Sequence, residues 1–214
     1  MSNRPHASRH PAGLALSSAI GASALLVPAL AAAHTGHAAA NAAYATGFFS
    51  GFLHPLGGLD HLLAMVAVGL FAAFLGGRAL WLVPAAFLGT MVAGGLLALA
   101  GIALPMVELG IALSVLVLGL AVAFRIRPAT LGAMALVGFF ALFHGHAHGA
   151  EMPAAASGLA YVGGFLLATA LLHGAGMLAG GFAGLSVSRH VVHAHRAGGA
   201  VIAVLGAGML AGMI

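Results

Sequence analysis

His54-Pro55-Leu56-Gly57-Gly58-Leu59-Asp60-His61 decides how the rest of the chain is read. Two imidazoles and a carboxylate stand inside apolar sequence, with Gly47 to Leu53 before them and Leu62 to Leu75 after. An apolar run of that length has the dimensions of a membrane span, where ionisable groups are costly unless they face one another, a cavity or water. Three together mark a functional site. Pro55 and the Gly57-Gly58 pair interrupt helical hydrogen bonding at the same point. The span is therefore predicted to unwind there and to free backbone carbonyls that an ion can use.

Working outward, the 214 residues are 62% hydrophobic and 5% charged, a balance that makes the bilayer the solvent. The net charge of +4 carries no nucleic-acid signal. The arginines stand singly or in pairs between apolar runs, without a basic face or interleaved aromatics, as topology determinants do. Cysteine is absent, which excludes disulfides, thiolate metal sites and cysteine nucleophiles. A metal must then be held by histidine, carboxylate, backbone or water, a donor set suited to nickel, cobalt, zinc or copper(II). The acids are Asp60, Glu108 and Glu151 alone, each beside the other unusual residues.

Residues 1–33 read as a cleavable signal peptide: Arg4 and Arg9, then an apolar stretch from Leu14 to Leu30, then small residues at Ala31-Ala32-Ala33. Cleavage there leaves a mature chain, 34–214, beginning His34-Thr35-Gly36-His37, whose amino group and imidazoles are candidate entry ligands. The mature chain is predicted to be an all-α bundle of six transmembrane helices, near 46–76, 80–100, 106–125, 129–149, 156–181 and 197–214, the first interrupted at the His-Pro/Gly-Gly segment. Arg78, Arg125, Arg127, Arg189 and Arg196 fall in alternate connections, and the others lack positive charge. The positive-inside rule then puts both mature termini outside a bacterial cytoplasmic (inner) membrane.

That orientation brings a second motif to the level of the first. In Phe143-His144-Gly145-His146-Ala147-His148-Gly149-Ala150-Glu151, the residues His144, His148 and Glu151 share one helical face, and His146 points elsewhere. Two imidazoles one turn apart with a carboxylate can chelate a divalent ion. The candidate metal ligands are His54, Asp60, His61, Glu108, His144, His148 and Glu151, with Asp60 readable either as a ligand or as a residue that orients an imidazole. His146 and His173 are candidate relay groups, His173 being equally readable as a packing residue in the fifth span. Phe143 abuts the first histidine as a candidate gate, beside its simpler reading as packing. His190, His193 and His195 fall in a connection best read as a solvated loop.

His54-x5-Asp60-His61 and Phe143-His144-Gly145-x-Ala147-x-Gly149-x-Glu151 together resemble the paired signatures of the HupE/UreJ family of nickel or cobalt permeases. The resemblance covers essentially the whole mature chain. It implies uptake of nickel, in some members cobalt, for hydrogenase or urease maturation. It also makes His54, Asp60, His61, Phe143, His144 and Glu151 functional residues, with Glu108 matching an acid of the third span. His146 and His148 lie at less fixed positions of the signature. The expected function is a secondary transporter or diffusion facilitator, not an enzyme, carrying Ni²⁺, Co²⁺ or Zn²⁺ as cargo and holding no prosthetic group. Its expected partners are the ion, the lipid bilayer and a cytoplasmic nickel chaperone, with no nucleic acid. The rivals are an intramembrane zinc-dependent hydrolase, with Asp60 or Glu151 as base, and a membrane metal sensor or chaperone that binds without flux.

Overall fold

The computed structural model describes residues 47–152, 158–184 and 189–213. The predicted signal peptide and the mature start with His34 and His37 lie outside the described residues. Every regular element among those described is an α-helix: α1 Gly47–Gly57, α2 Leu59–Leu75, α3 Ala79–Leu99, α4 Val107–Ala123, α5 Thr130–Ala150, α6 Gly158–Gly184 and α7 Arg189–Leu210. Each predicted span overlaps a helix or, in the first case, the pair α1 and α2.

Helices α3 and α5, and α6 over Gly158–Gly181, are long and apolar enough to cross a membrane, and α1 with α2 forms a fourth such unit if the bent pair is one span. Helix α4 is apolar but has 17 residues, about 25 Å of helix against a hydrocarbon core of about 30 Å. Large apolar side chains such as Leu96, Leu131, Phe139, Leu159 and Val204 are exposed around the bundle. Lipid is the solvent that accepts them, and the chain is a helical membrane protein.

The predicted interruption is present and narrower than expected. Pro55 and Gly57 remain within α1, and the axis turns by 83° between α1 and α2. Only Gly58 is extended (φ −96, ψ 119), and its carbonyl accepts from the Leu62 N–H at 3.0 Å. The first turn of α2 thus uses the Gly58 carbonyl. Asp60 falls in that first turn, where a carboxylate suits the positive end of the helix dipole.

The helices associate mainly as α2 with α6, α3 with α5 and α4 with α7. In lipid no hydrophobic force drives such pairing, so close backbone approach at small residues supplies it. A Cβ on Gly69 of α2 would lie 2.8 Å from Gly176 Cα of α6. One on Gly149 of α5 would lie 2.7 Å from the Gly95 carbonyl oxygen of α3, and one on Gly145 would strike the Met91 carbonyl. One on Gly119 of α4 would lie 2.5 Å from the Ala203 nitrogen of α7. Gly94 and Gly164 likewise meet a neighbouring backbone closely, whereas Gly163 and Gly174 face open space.

Charge divides the bundle into two ends. At one, Arg125 and Arg127 hold their guanidinium carbons 4.6 and 4.4 Å from the centre of the Phe74 ring, and Arg196 Nε donates to the Ala123 carbonyl at 3.2 Å. The acids lie at the other. Helix α7 starts earlier than the predicted sixth span, so His193 and His195 are helical rather than in a loop. His195 is also buried, its ring 6.1 Å from that of Phe74, because Gly180 of α6 leaves room for it.

Replacing Gly119 with leucine forces α4 and α7 apart and should cost at least about 1–3 kcal/mol, the usual range for overpacking. Gly163→Ala, in open space, should change stability by less than about 0.5 kcal/mol. Unfolding in mixed detergent micelles, followed by circular dichroism, separates the two.

Candidate metal site

The bend at Gly58, the start of α4 and the end of α5 line an open cavity of ≈ 1180 Å³ at the acid end of the bundle. His54, Asp60, Glu108, His146, His148 and Glu151 all line it, so every acid in the sequence faces one space. Helical periodicity explains the part played by α5: Gly145 and Gly149 press on α3, and His144 and His148, each one residue earlier, are turned about 100° from that contact.

Five of the seven predicted ligands form two overlapping groups. His54, His148 and Glu151 place one donor atom each within 4.8 Å of one another, and His61, His144 and His148 do the same. His148 belongs to both. Exposure falls along the series, with side-chain values of 58% for Glu151, 32% for His54 and 14% for His148, and with His61 and His144 fully buried. The outer group therefore meets the cavity, and of the inner one only His148 reaches it, His61 and His144 being sealed.

Hydrogen bonds fix which ring nitrogen is bare. The Thr169 hydroxyl donates to the Phe165 carbonyl at 2.9 Å, so its oxygen accepts from His61 Nε2–H at 3.2 Å. A neutral imidazole has one donor and one acceptor, so His61 Nδ1 accepts from His148 Nε2–H at 3.0 Å. His148 Nδ1 then accepts from His54 Nε2–H at 2.9 Å, a proton shared with Glu151 Oε2 at 3.1 Å. Similarly, the Ser114 hydroxyl donates to the Ile111 carbonyl at 2.6 Å and accepts from His144 Nε2–H at 2.8 Å. That leaves the buried His144 Nδ1 without a partner. Two hydroxyls thus turn bare lone pairs of His61 and His144 away from α6 and α4. A cation entering the outer group would take the His148 Nδ1 and Glu151 lone pairs that one N–H now bridges, so binding is coupled to release or displacement of a proton.

Asp60 and Glu108 line the cavity and join neither group. Asp60 stands in the first turn of α2, beside the site. His146 turns from the groups and its Nε2–H donates to the Ile102 carbonyl at 2.9 Å, which ties the end of α5 to the connection after α3. Phe143 does not face the imidazoles: its ring covers Gly110 of α4 and packs edge-on against Phe139, 5.3 Å between centres. Of the two readings of Phe143, packing is the one these contacts describe. The aromatic walls are Phe165, 4.7 Å from His148 and 5.2 Å from His61, and Phe87, 5.8 Å from His144. His173 lies deeper, fully buried. Ser114, Thr169, Phe87 and Phe165 escaped the sequence reading, because a lone hydroxyl or phenylalanine in an apolar run has no signature until its neighbour is known.

A lipid-embedded helical bundle with imidazoles and a carboxylate converging from several helices defines a membrane protein built around a polar core. The comparisons make the class more particular: the family model described as HupE / UreJ protein matches residues 22–209. The chain is also 47% identical over 189 residues to Protein HupE of Rhizobium leguminosarum bv. viciae, covering 88% of this chain and 94% of that one. It belongs to the HupE/UreJ family. No solved structure matches it.

Removing the hydroxyls that orient the rings should weaken metal binding without touching a ligand. Ser114→Ala and Thr169→Val are each expected to lower nickel affinity about 10–100-fold, measured by calorimetry on purified protein. His148→Ala, which removes the shared ring, should lower it further than either.

Proposed function

We propose that this chain is a secondary permease or facilitator that imports Ni²⁺, with Co²⁺ as the nearest competitor, across the bacterial cytoplasmic membrane. The observation that carries this reading is the shared His148. An ion held by His54, His148 and Glu151 at the cavity can pass to His61, His144 and His148 by keeping one imidazole while exchanging the others. Stepwise exchange lets each ligand replace a water or a previous ligand, so the ion is never stripped bare. Such a path requires ligands that release as well as bind, and imidazole with carboxylate meets this better than a closed thiolate cage. Glu151 supplies negative charge at the entrance, and neutral rings receive the ion within.

In this reading the cavity faces outward, the arginine end is cytoplasmic, and six spans cross the bilayer in a mature chain that begins after the signal peptide. Asp60 and Glu108 add carboxylates to the cavity wall and draw divalent cations towards it. The ion supplies hydrogenase or urease maturation, and a cytoplasmic chaperone takes it at the inner end. The family resemblance supports both.

Uptake of radioactive nickel by cells producing the intact chain is expected to be saturable and reduced by excess cobalt. His61→Ala, His148→Ala and Glu151→Ala, each still present in the membrane, should reduce it to the level of empty cells. Metal binding to purified protein without uptake would replace the permease with a sensor or chaperone. Metal-dependent cleavage of lipid or peptide without uptake would favour a hydrolase.

A further inference from the structure

Beyond the two overlapping groups, two buried imidazoles, His173 and His195, take no part in the site. His173 is 1% exposed, and neither of its ring nitrogens has a hydrogen-bond partner. Buried polar groups are almost always paired, and an unpaired one calls for a role that packing alone does not supply. A leucine or phenylalanine would fill the same space without burying two unmatched ring nitrogens.

Its position gives the role. On α6, Thr169, His173, Gly176 and Gly180 recur at helical spacing along one face. Thr169 holds His61 at one end of that row. At the other, a Cβ on Gly180 would lie 3.1 Å from Nε2 of His195, a second buried imidazole with both nitrogens unpartnered. His173 lies between, about 6 Å from the level of Thr169 and about 10 Å from that of Gly180. The Phe87 ring touches both sides of the gap, 5.8 Å from the ring of His144 and 5.3 Å from that of His173. Beyond His195 stand Phe74 and the arginines of the opposite end.

We infer that His173 is an inner station for the divalent cation, receiving it from the His61–His144–His148 group and passing it along α6 to His195. This rests on the permease reading and extends it through the second half of the bundle. Each station offers a neutral imidazole nitrogen, and water retained by the ion fills the remaining coordination positions. No bond is made or broken in the protein. In the described conformation His173 is sealed, so the ion reaches it when the neighbouring side chains move.

The chain has no cysteine, so His173→Cys carries the sole thiol. Reconstituted in liposomes, it should react with a small water-soluble methanethiosulfonate, and nickel should slow the reaction about tenfold or more. His173→Leu should lower nickel uptake about tenfold or more, at least the effect of losing a group that supports a metal site. Its nickel affinity at the outer ligands should stay within about twofold of the intact chain, since it touches none of them. Normal uptake by His173→Leu overturns the inference and leaves the permease standing. Should that variant fail to reach the membrane, the thiol decides: no labelling, or labelling indifferent to nickel, overturns it, and protection by nickel supports it. Absence of nickel uptake by the intact chain overturns both readings.

Discussion

Close contact of helix backbones at glycine is the constraint from which the rest of the structure follows. Lipid offers α2, α3 and α4 no solvent-driven reason to bury themselves, so their pairing with α6, α5 and α7 depends on surfaces that touch without intervening side chains. Where α5 meets α3, Gly145 and Gly149 set the rotation of the helix. That rotation, a matter of packing, aims His144 and His148 at the interior. Where α2 meets α6, Gly69 and Gly176 bring the two helices near enough for His61 on one to reach Thr169 on the other. The polar site is thus a product of apolar packing.

The bend at Gly58 adds a member that a straight helix would hold apart. In an unbroken helix His54 and His61 would share a face about 10 Å apart along the axis. Turning the axis by 83° lets one side chain join them: His148 meets His54 through Nδ1 and His61 through Nε2. A single ring with two nitrogens becomes the bridge between the exposed and buried groups. Thr169 and Ser114 complete the arrangement, because their hydroxyl protons are already committed to the Phe165 and Ile111 carbonyls, leaving oxygens that only accept. The direction of every proton in the series follows from these two residues.

The separation of charge has the same economy. Three acids line one cavity, while Arg125, Arg127 and Arg196 are held at the opposite end by Phe74 and the Ala123 carbonyl. Between them, among the described residues, the core is apolar except for imidazoles and hydroxyls. Imidazole suits this setting because its neutral form still donates a lone pair, whereas a carboxylate at the same depth would need a permanent counter-charge.

The sequence by itself determined the apolar segments, the break in the first of them and the two motifs whose ionisable residues meet. These are local properties: the length of an apolar run, the missing N–H of a proline, and the cost of a charge in hydrocarbon act on each stretch whatever its neighbours. The tertiary structure alone decided that the break narrows to Gly58, that His148 is shared, that Ser114 and Thr169 set the tautomers, and that His146 binds the Ile102 carbonyl. It also placed Phe143 on Gly110 rather than over the imidazoles, and buried His195. Each of these depends on how one helix is rotated against another, and that rotation is set by the glycines each helix presents to a partner far along the chain, which periodicity within a single span cannot specify.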